Sequence, residues 1–592
     1  MRVFLKPRAQ PAPTDTEPRC VAKPRALPKS DRAARPWLAF YEPGVPESLS
    51  YPSATLDALL RESAARYPHH VCTSFFGAQL TYAQVDELVD RFASGLARFG
   101  VQHGDRVALM LPNCPQYVIA HFAVLRIGAI VVPCNPQYTA RELTYQLAEV
   151  KVKALVVLTK MLSQAIAARD AGAVQQLIVA NIKEFMPSLR AVLFTLFKER
   201  PGGHRQKLPY GALRFRDLVH TPAQPVARPP LPDEPAVLQY TGGTTGVPKA
   251  AVLTHRALVA NAFQTRAWFQ KAEVGRENIL ALMPFFHVYG LTVALHMGVV
   301  LAAKLTLVPQ FEPKDMLKTI TKECPTLLPG APRVYVALTD ANRRGVKGDL
   351  SSIRACLSGS APLPREVADA FEQLSGGGVV EGYGLTEASP VTHANPLFGE
   401  RRIGTVGLPL PDVECRICDL DDPSRVLGYG VVGEVCVRGP NLMSGYWGRL
   451  DESAKALRDG WLYTGDIGRM DNDGYLTIID RKKEMIIVNG LKVFPREVEE
   501  ILYAHPSVLY AAVIGIPDLT HGEVVKAFVQ LRPGKSATPD ELRDHCTRAL
   551  AKFKVPVAVK IRETLPLSNI GKVLRKDLAA EEAARASGSQ GR

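Results

Sequence analysis

Cysteine is sparse in this chain, with ten residues scattered through 592. That excludes a disulfide framework and fits thiols kept reduced, as in a cytoplasm. The single C-x-x-C, Cys415 and Cys418, has no second pair and no His pair to complete a zinc site. Both fall in a strand-like run over 413–419, so a packing role is expected. The first 35 residues hold no apolar run followed by a small-residue cleavage pattern, so a secretory signal is not expected. Long uncharged runs are lacking, with one exception. Residues 279–303 contain no Asp, Glu, Lys or Arg, a length that would suit a membrane span. Pro284, His287, Gly290 and His296 interrupt it, and a buried strand–loop–helix lining a cavity is the better reading. The run 117–134 contains Arg126. No internal repeat is visible. No groove-reading or base-stacking motif accompanies the net charge of +14, so no nucleic-acid partner is expected. Much of that excess sits in residues 1–35, where nine Lys or Arg face three Asp or Glu among Pro and Ala. This reads as a solvated, disordered basic tail, with anionic lipid as the alternative partner.

What is present is an ordinary globular composition, 46% hydrophobic and 22% charged, enough for a large core. The length suggests about four structural units. Amphipathic helices are expected over 56–67 and 82–99, and a short buried strand over 107–110. A helix over 117–127 and strands over 129–132 and 154–158 follow, an alternation typical of parallel α/β layers. Residues 183–235 are less regular. Phe185, Met186, Leu193, Phe194 and Phe197 stand there among Lys and Arg, as in a surface amphipathic insertion touching membrane or a packed surface helix. Beyond 484 a smaller α+β pattern begins. Pro495 opens a helix carrying Val498, Ile501 and Leu502. Strands follow over 508–514 and 524–531. Thr538 and Glu541 form a capping box ahead of Leu542, Cys546 and Leu550.

The most informative segment is Tyr240-Thr241-Gly242-Gly243-Thr244-Thr245-Gly246-Val247-Pro248-Lys249, after an apolar run over 236–238. Its glycines let backbone N–H groups approach a ligand closely. The threonine hydroxyls and the Lys249 ammonium suit a polyphosphate. It is not a Walker A loop, because Pro248 separates Gly from Lys, and no G-x-G-x-x-G dinucleotide pattern occurs.

Five further segments follow in order. They are Leu282-Met283-Pro284-Phe285-Phe286-His287, Glu381-Gly382-Tyr383-Gly384-Leu385-Thr386-Glu387 and Gly460-Trp461-Leu462-Tyr463-Thr464-Gly465-Asp466. Then come Asp480-Arg481-Lys482-Lys483-Glu484 and Pro566-Leu567-Ser568-Asn569-Ile570-Gly571-Lys572-Val573-Leu574-Arg575. Together with the loop they resemble the motif series of the adenylate-forming (AMP-binding) superfamily, over about residues 50–577. Within it the chain resembles the bacterial long-chain fatty-acid–CoA ligases, through the run 459–483, the Ser-Asn-Ile-Gly-Lys around Lys572, and Gly243 where many relatives have Ser. Ala250 departs from a common glycine. Leu291 stands where some long-chain enzymes place a gating Trp, which speaks against a Trp-gated acyl tunnel.

The resemblance implies an α/β fold: a large N-terminal domain with layered sheets and helices over 50–482, and a small mobile C-terminal α+β lid over 484–577. Disordered tails would span 1–35 and 578–592. It implies a long-chain fatty-acid–CoA ligase, an acid–thiol ligase using ATP, Mg²⁺ and CoA through an acyl-adenylate. A medium-chain or aryl-acid CoA ligase, an acyl-AMP ligase loading a carrier protein, and a non-catalytic ATP- or lipid-binding relative are the alternatives. ATP is needed because carboxylate is a poor acyl donor, and the charge building on phosphorus calls for cations and N–H donors.

Residue by residue, the resemblance assigns ATP or AMP to Thr241, Gly242, Gly243, Thr244, Thr245, Gly246 and Lys249. The adenine pocket falls to Ser360, Ala361 and Pro362 with Glu381, Gly382, Tyr383 and Gly384, Tyr383 stacking on the base. Thr386 would donate to the α-phosphate, and Glu387, with Thr244, would ligate Mg²⁺. Thr386 and Glu387 also fit a helix N-cap and its dipole-favoured acid. Asp466 would take the ribose hydroxyls and Arg481 ribose or phosphate. Lys572 would be the cation of adenylation, His287 a gate beside the carboxylate, Lys483 the hinge, and Gly490 part of the CoA channel where a Cβ leaves no room. A cytoplasmic enzyme is expected, with peripheral contact to the anionic inner face of the membrane as a further expectation from the basic tail and residues 183–216.

Overall fold

The computed structural model describes residues 35–241, 248–518, 520–567 and 573–589. The basic tail expected at the N-terminus therefore falls outside the described residues, apart from Arg35. That residue pairs with Glu414 at 2.6 Å, just before the buried Trp37.

The chain folds around a seven-stranded sheet in the order Leu213–Arg214, Val174–Ala180, Val152–Leu158, Arg106–Met110, Ile130–Pro133, Pro235–Tyr240, Ala250–Thr254. All neighbours are parallel except the last pair. Such strands are buried on both faces, which is why they read as near-continuous Val, Leu and Ala runs. The helix Pro115–Arg126 is buried along its whole length. It tolerates Arg126 because the guanidinium meets Asp57 at 2.7 Å, Asp86 at 2.5 Å and Asp90 at 2.9 Å. A buried cation persists only when paired in this way.

A second layer joins Asn278–Ala281, Lys304–Leu307, Val71–Phe75 and Ala78–Thr81. Single bridges at Leu327 link it to the parallel pair Ala355–Ser358 and Gly378–Gly384. An antiparallel sheet follows, built on Glu414–Cys418, Gly433–Arg438, Trp461–Met470 and Leu476–Arg481. Cys415 and Cys418 are free, buried thiols in its first strand, as packing residues should be. The uncharged run 279–303 is a strand, a loop and the wide-turn helix Gly290–His296 with the short helix Met297–Val300, nearly all buried. Among the described residues no helix is long and apolar enough to cross a membrane.

Beyond the hinge region, Ile486–Val488, Leu491–Val493, Val508–Asp518, Gly522–Leu531 and Ala558–Ile561 form a separate five-stranded sheet. Its own core includes Val498, Leu502, Leu542 and Cys546. The helix Pro539–Ala549 starts with the capping box of Thr538 and Glu541. One expectation needs correction. Within the expected tail 578–592, the described residues are not structureless, since a helix runs over Arg575–Ser589; 590–592 lie outside the described residues. Leu578 is fully buried, and Glu582 and Glu581 pair with Lys526 at 2.5 Å and Arg562 at 2.8 Å. Alanines and alternating charges hid this helix because one leucine and ion pairs of Arg575, Glu581 and Glu582 to distant residues anchor it.

Candidate active site

Four of the motifs follow the carboxyl end of a parallel strand, where open α/β sheets build their sites, while Asp466 and Arg481 come from the antiparallel sheet. Pro235–Tyr240 leads into the glycine–threonine loop, and Asn278–Ala281 into the aromatic run. Ala355–Ser358 leads into Ser360-Ala361-Pro362, and Gly378–Gly384 into Thr386 and Glu387. Gly242, Gly243, Thr244, Thr245 and Gly246 lie outside the described residues. Their flanks form the base of a hairpin: Tyr240 pairs with Ala250, and the Thr241 N–H donates to the Lys249 carbonyl at 2.9 Å.

At that base stands a cluster the motifs alone did not reveal. Residues 444–447 pair with the strand Ala250–Thr254, through Trp447 N–H to Ala250 O at 2.8 Å and Val252 N–H to Gly445 O at 2.9 Å. This carries Tyr446 beside Lys249, whose ammonium lies 5.1 Å from the ring centre and pairs with Glu452. The Tyr446 hydroxyl donates to Glu387 Oε1 at 2.8 Å, and burial with the Glu387 charge raises its pKa. A phosphate-side cation and the candidate metal carboxylate thus share one aromatic neighbour. Thr386 opens the one-turn helix Thr386–Ala388 and is not its cap; Leu385 holds that position with no side-chain bond.

The second cluster joins three expected nucleotide residues. The Tyr383 hydroxyl donates to Asp466 Oδ2 at 2.6 Å, and Arg481 Nε meets Asp466 Oδ1 at 2.7 Å. Asp466 and Arg481 face each other across antiparallel strands. Asp466 is buried and spends one lone pair of each oxygen on these partners, leaving a second on each. Asp466, with smaller contributions from Tyr383, Glu484 and Glu387, raises Arg481 and keeps it cationic.

Glu381 Oε2 accepts the Leu363 N–H at 3.2 Å, fixing the turn through Ser360, Ala361 and Pro362, where Ser360 holds a positive φ. Burial pushes the Glu381 carboxyl up to about 7. Gly382 and Gly384 continue the strand. A Cβ at Gly384 would lie 2.0 Å from the Pro390 carbonyl oxygen, so no other residue fits there.

His287 is half-buried, and desolvation lowers its pKa, keeping the ring neutral. The run that carries it is held from two sides. Gln239, in the strand before the phosphate loop, donates to Phe286 O at 3.0 Å. Asn113 donates to Met283 O at 2.9 Å and accepts from Phe285 N–H at 2.8 Å. Tyr289 then donates to Leu357 O at 2.5 Å, shortly before the turn through Ser360, Ala361 and Pro362. Leu291 is fully buried in the wide-turn helix. The sequence signal for Gln239 was its place one residue before the loop's Tyr240; no comparable signal marked Tyr446.

Lys572 lies outside the described residues. Its flanks Leu567 and Val573 pair, and Leu574 N–H donates to Pro566 O at 2.8 Å. Arg575 then meets Glu499 (Nε–Oε1 2.9 Å, Nη2–Oε2 2.5 Å), Glu484, and Asp480 at 3.2 Å. Asp480 precedes Arg481, so this bond ties Arg575 to the end of the strand that carries Arg481. Lys483 sits in the short turn Lys482–Glu484 between the two bodies, exposed. Gly490, expected in the CoA channel, forms with Asn489 a two-residue hairpin turn, both at positive φ. That turn geometry itself favours glycine, and a Cβ there would meet no protein atom within 4 Å.

Among the described residues no three His, Cys, Asp or Glu side chains cluster as a metal site. One hard carboxylate, Glu387, beside a phosphate loop still suits Mg²⁺, which keeps water and phosphate oxygens as most of its ligands. A cleft of about 400 Å³ bordered by His70, Asn278 and Lys304 lies at the opposite, amino ends of the strands and takes no part here.

A family model described as AMP-binding enzyme matches residues 60–447, and one described as AMP-binding enzyme C-terminal domain matches 497–572. The chain is 42% identical to a long-chain-fatty-acid–CoA ligase of Bacillus subtilis, over 93% of this chain and 99% of that one. It is 36% identical to one of Escherichia coli O157:H7, over 92% and 98%. Among solved structures it resembles ATP-bound MatB from Rhodopseudomonas palustris, at 28% identity, 90% and 99% coverage and a TM-score of 0.78.

Proposed function

Because the chain belongs to the AMP-binding enzyme family, we propose that it activates a long-chain fatty acid as its acyl-adenylate and transfers the acyl group to CoA. The observation that carries this reading is a pair of clusters, Lys249–Tyr446–Glu387 and Tyr383–Asp466–Arg481, with the Glu387 charge acting on Arg481, while Gln239 fastens the uncharged 279–303 run to the strand before the loop. The fatty-acid substrate rests on the printed names of the curated relatives and on that apolar run.

In the first half-reaction the substrate carboxylate oxygen attacks the α-phosphorus of ATP and pyrophosphate leaves. Tyr383 and the Ser360–Pro362 turn hold adenine, and the spare lone pairs of Asp466 take the ribose hydroxyls. Lys249, Thr386 and Arg481 face the phosphates; Lys572 bridges carboxylate and α-phosphate. Mg²⁺ held at Glu387 and Thr244 supplies charge neutralisation on the departing pyrophosphate. Neutral His287 adds no competing charge where the carboxylate must lie. In the second half-reaction the CoA thiol sulfur attacks the acyl carbon, AMP leaves, and the thiol proton passes to solvent. The small domain reorients about Lys483 between the steps, bringing Gly490 to the pantetheine arm.

The test is product analysis with ATP, Mg²⁺ and a panel of short, medium, long and aryl acids, offered CoA or an acyl carrier protein. Acyl-CoA formed best from long-chain acids supports the reading. Acyl transfer only to carrier protein, or a best substrate among aryl acids, replaces it with the corresponding alternative.

A further inference from the structure

Residues 188–198 form one helical stretch, Ser188–Leu193 continued by the wide turn Phe194–Lys198. Its apolar stripe, Leu189, Val192, Leu193, Leu196 and Phe197, follows helical spacing but points to solvent. Leu189 is 72% exposed, and Leu196 and Phe197 are 68% exposed. The inner face is held: Phe194 packs on the core and against His204, and Lys183 Nζ bonds Thr195 at 3.0 Å. An ordinary surface helix turns its stripe inward; this one turns it out while anchored from behind. Tyr210 nearby is fully exposed.

The surrounding charge is mostly of one sign. Arg190, Lys198, Arg200, Arg205, Lys207, Arg214 and Arg216 are exposed. The two carboxylates between 183 and 216 are withdrawn: Glu199 is buried against Lys183 and Asn181, and Glu184 lies against Gln116. The exposed Asp217 and Asp170 each stand beside an arginine, Arg216 and Arg169. A protruding apolar ridge with a cationic excess complements an anionic bilayer, where apolar side chains enter the acyl layer and cations meet phosphates.

Position adds a reason. The segment leaves the carboxyl end of Val174–Ala180, next to the edge strand of the sheet whose strand Pro235–Tyr240 leads into the glycine–threonine loop. Gln116 donates to Asn181 O at 2.9 Å, and its neighbour Tyr117 donates to Phe285 O at 2.8 Å. One helix end therefore joins the ridge to the aromatic run beside the carboxylate site. We infer that the ridge 188–198 is a membrane-docking element that seats the protein on an anionic lipid surface. This goes beyond the ligase reading, and the test reads binding without turnover.

The experiment is sedimentation of the full chain with vesicles of phosphatidylglycerol and phosphatidylethanolamine, with pure phosphatidylcholine as comparison. Expected is binding to the anionic vesicles that weakens with salt and falls about tenfold or more in the Leu196→Ser/Phe197→Ser double variant. Both side chains already face water, so the variant keeps wild-type turnover of a soluble short-chain acid. In a Phe197→Trp variant, vesicles with brominated acyl chains quench the added fluorescence. Deletion of residues 1–34 leaves the effect of the double variant in place. The inference is overturned if wild type does not sediment, if the double variant binds as well as wild type, or if binding vanishes with residues 1–34 alone. A concentration-dependent dimer abolished by the double variant, without vesicle binding, would overturn it too.

Discussion

Replacing Arg575 by alanine should damage the first half-reaction far more than the second. The guanidinium is largely buried and answers three carboxylates, Asp480, Glu484 and Glu499. Glu499 lies after the turn Lys482–Glu484 and Glu484 ends it, while Asp480 lies before it, at the end of the strand Leu476–Arg481. Breaking a buried ion pair from one side costs roughly 3–5 kcal/mol, part of it as lost stability of the small domain. The share carried by the Asp480 bond is that of one charge-assisted hydrogen bond, about 1.5–3 kcal/mol. If that bond holds Lys572 toward the nucleotide cluster, its loss lowers adenylation by about ten- to a hundredfold. The assay is acid-dependent ATP–pyrophosphate exchange, set against CoA-dependent consumption of presynthesised acyl-adenylate. Asp480→Asn, which spares the Glu499 pair, should reproduce the exchange defect with less loss of stability. Equal losses in both half-reactions, or normal exchange in both variants, would refute the reasoning. The stability defect has a pH sign. Burial already holds Glu499 above the usual carboxylate range, and losing Arg575 raises it further. The ionised native form is then penalised, so the Arg575→Ala deficit grows as pH rises through the raised value and shrinks below it.

Tyr383→Phe removes the 2.6 Å bond to Asp466 and should raise KM for ATP about tenfold with a smaller change in kcat, read by initial rates. Glu387→Gln should lower pyrophosphate formation at least about a hundredfold without recovery at high Mg²⁺, while Tyr446→Phe, which leaves the carboxylate, should cost about tenfold. Glu381, lifted to about 7 by burial, keeps its proton in the native state where the unfolded carboxyl has lost it. Stability should therefore fall between the ordinary carboxylate value and about pH 7, by at most about 1.4 kcal/mol per pH unit, and Glu381→Gln should remove that slope in urea titrations.

The parallel strands around the site were legible because burial on both faces forces unbroken apolar runs, as in Val152–Leu158. The capping box at Thr538 was legible because its chemistry is local. The helix over Arg575–Ser589 was not, since it is anchored by Leu578 and by ion pairs of Arg575, Glu581 and Glu582 that no periodicity signals. In the site, ordered motifs marked Tyr383, Glu387, Asp466 and Arg481 as a group, yet gave no pairing among them. The Tyr383–Asp466–Arg481 chain depends on strand register, and Tyr446 reaches Glu387 only because residues 444–447 add to a strand nearly two hundred positions earlier. At Gly490 the sequence did not show the hairpin turn whose positive φ favours glycine, a demand visible in three dimensions only.

The most direct test of the central claim follows one oxygen. With a long-chain fatty acid labelled by ¹⁸O in its carboxylate, attack on the α-phosphorus leaves one labelled oxygen in each AMP released. The account predicts singly labelled AMP in proportion to acyl-CoA formed, and none with Lys572→Ala. Label in inorganic phosphate alongside ADP, or acyl-CoA formed with unlabelled AMP, would contradict it.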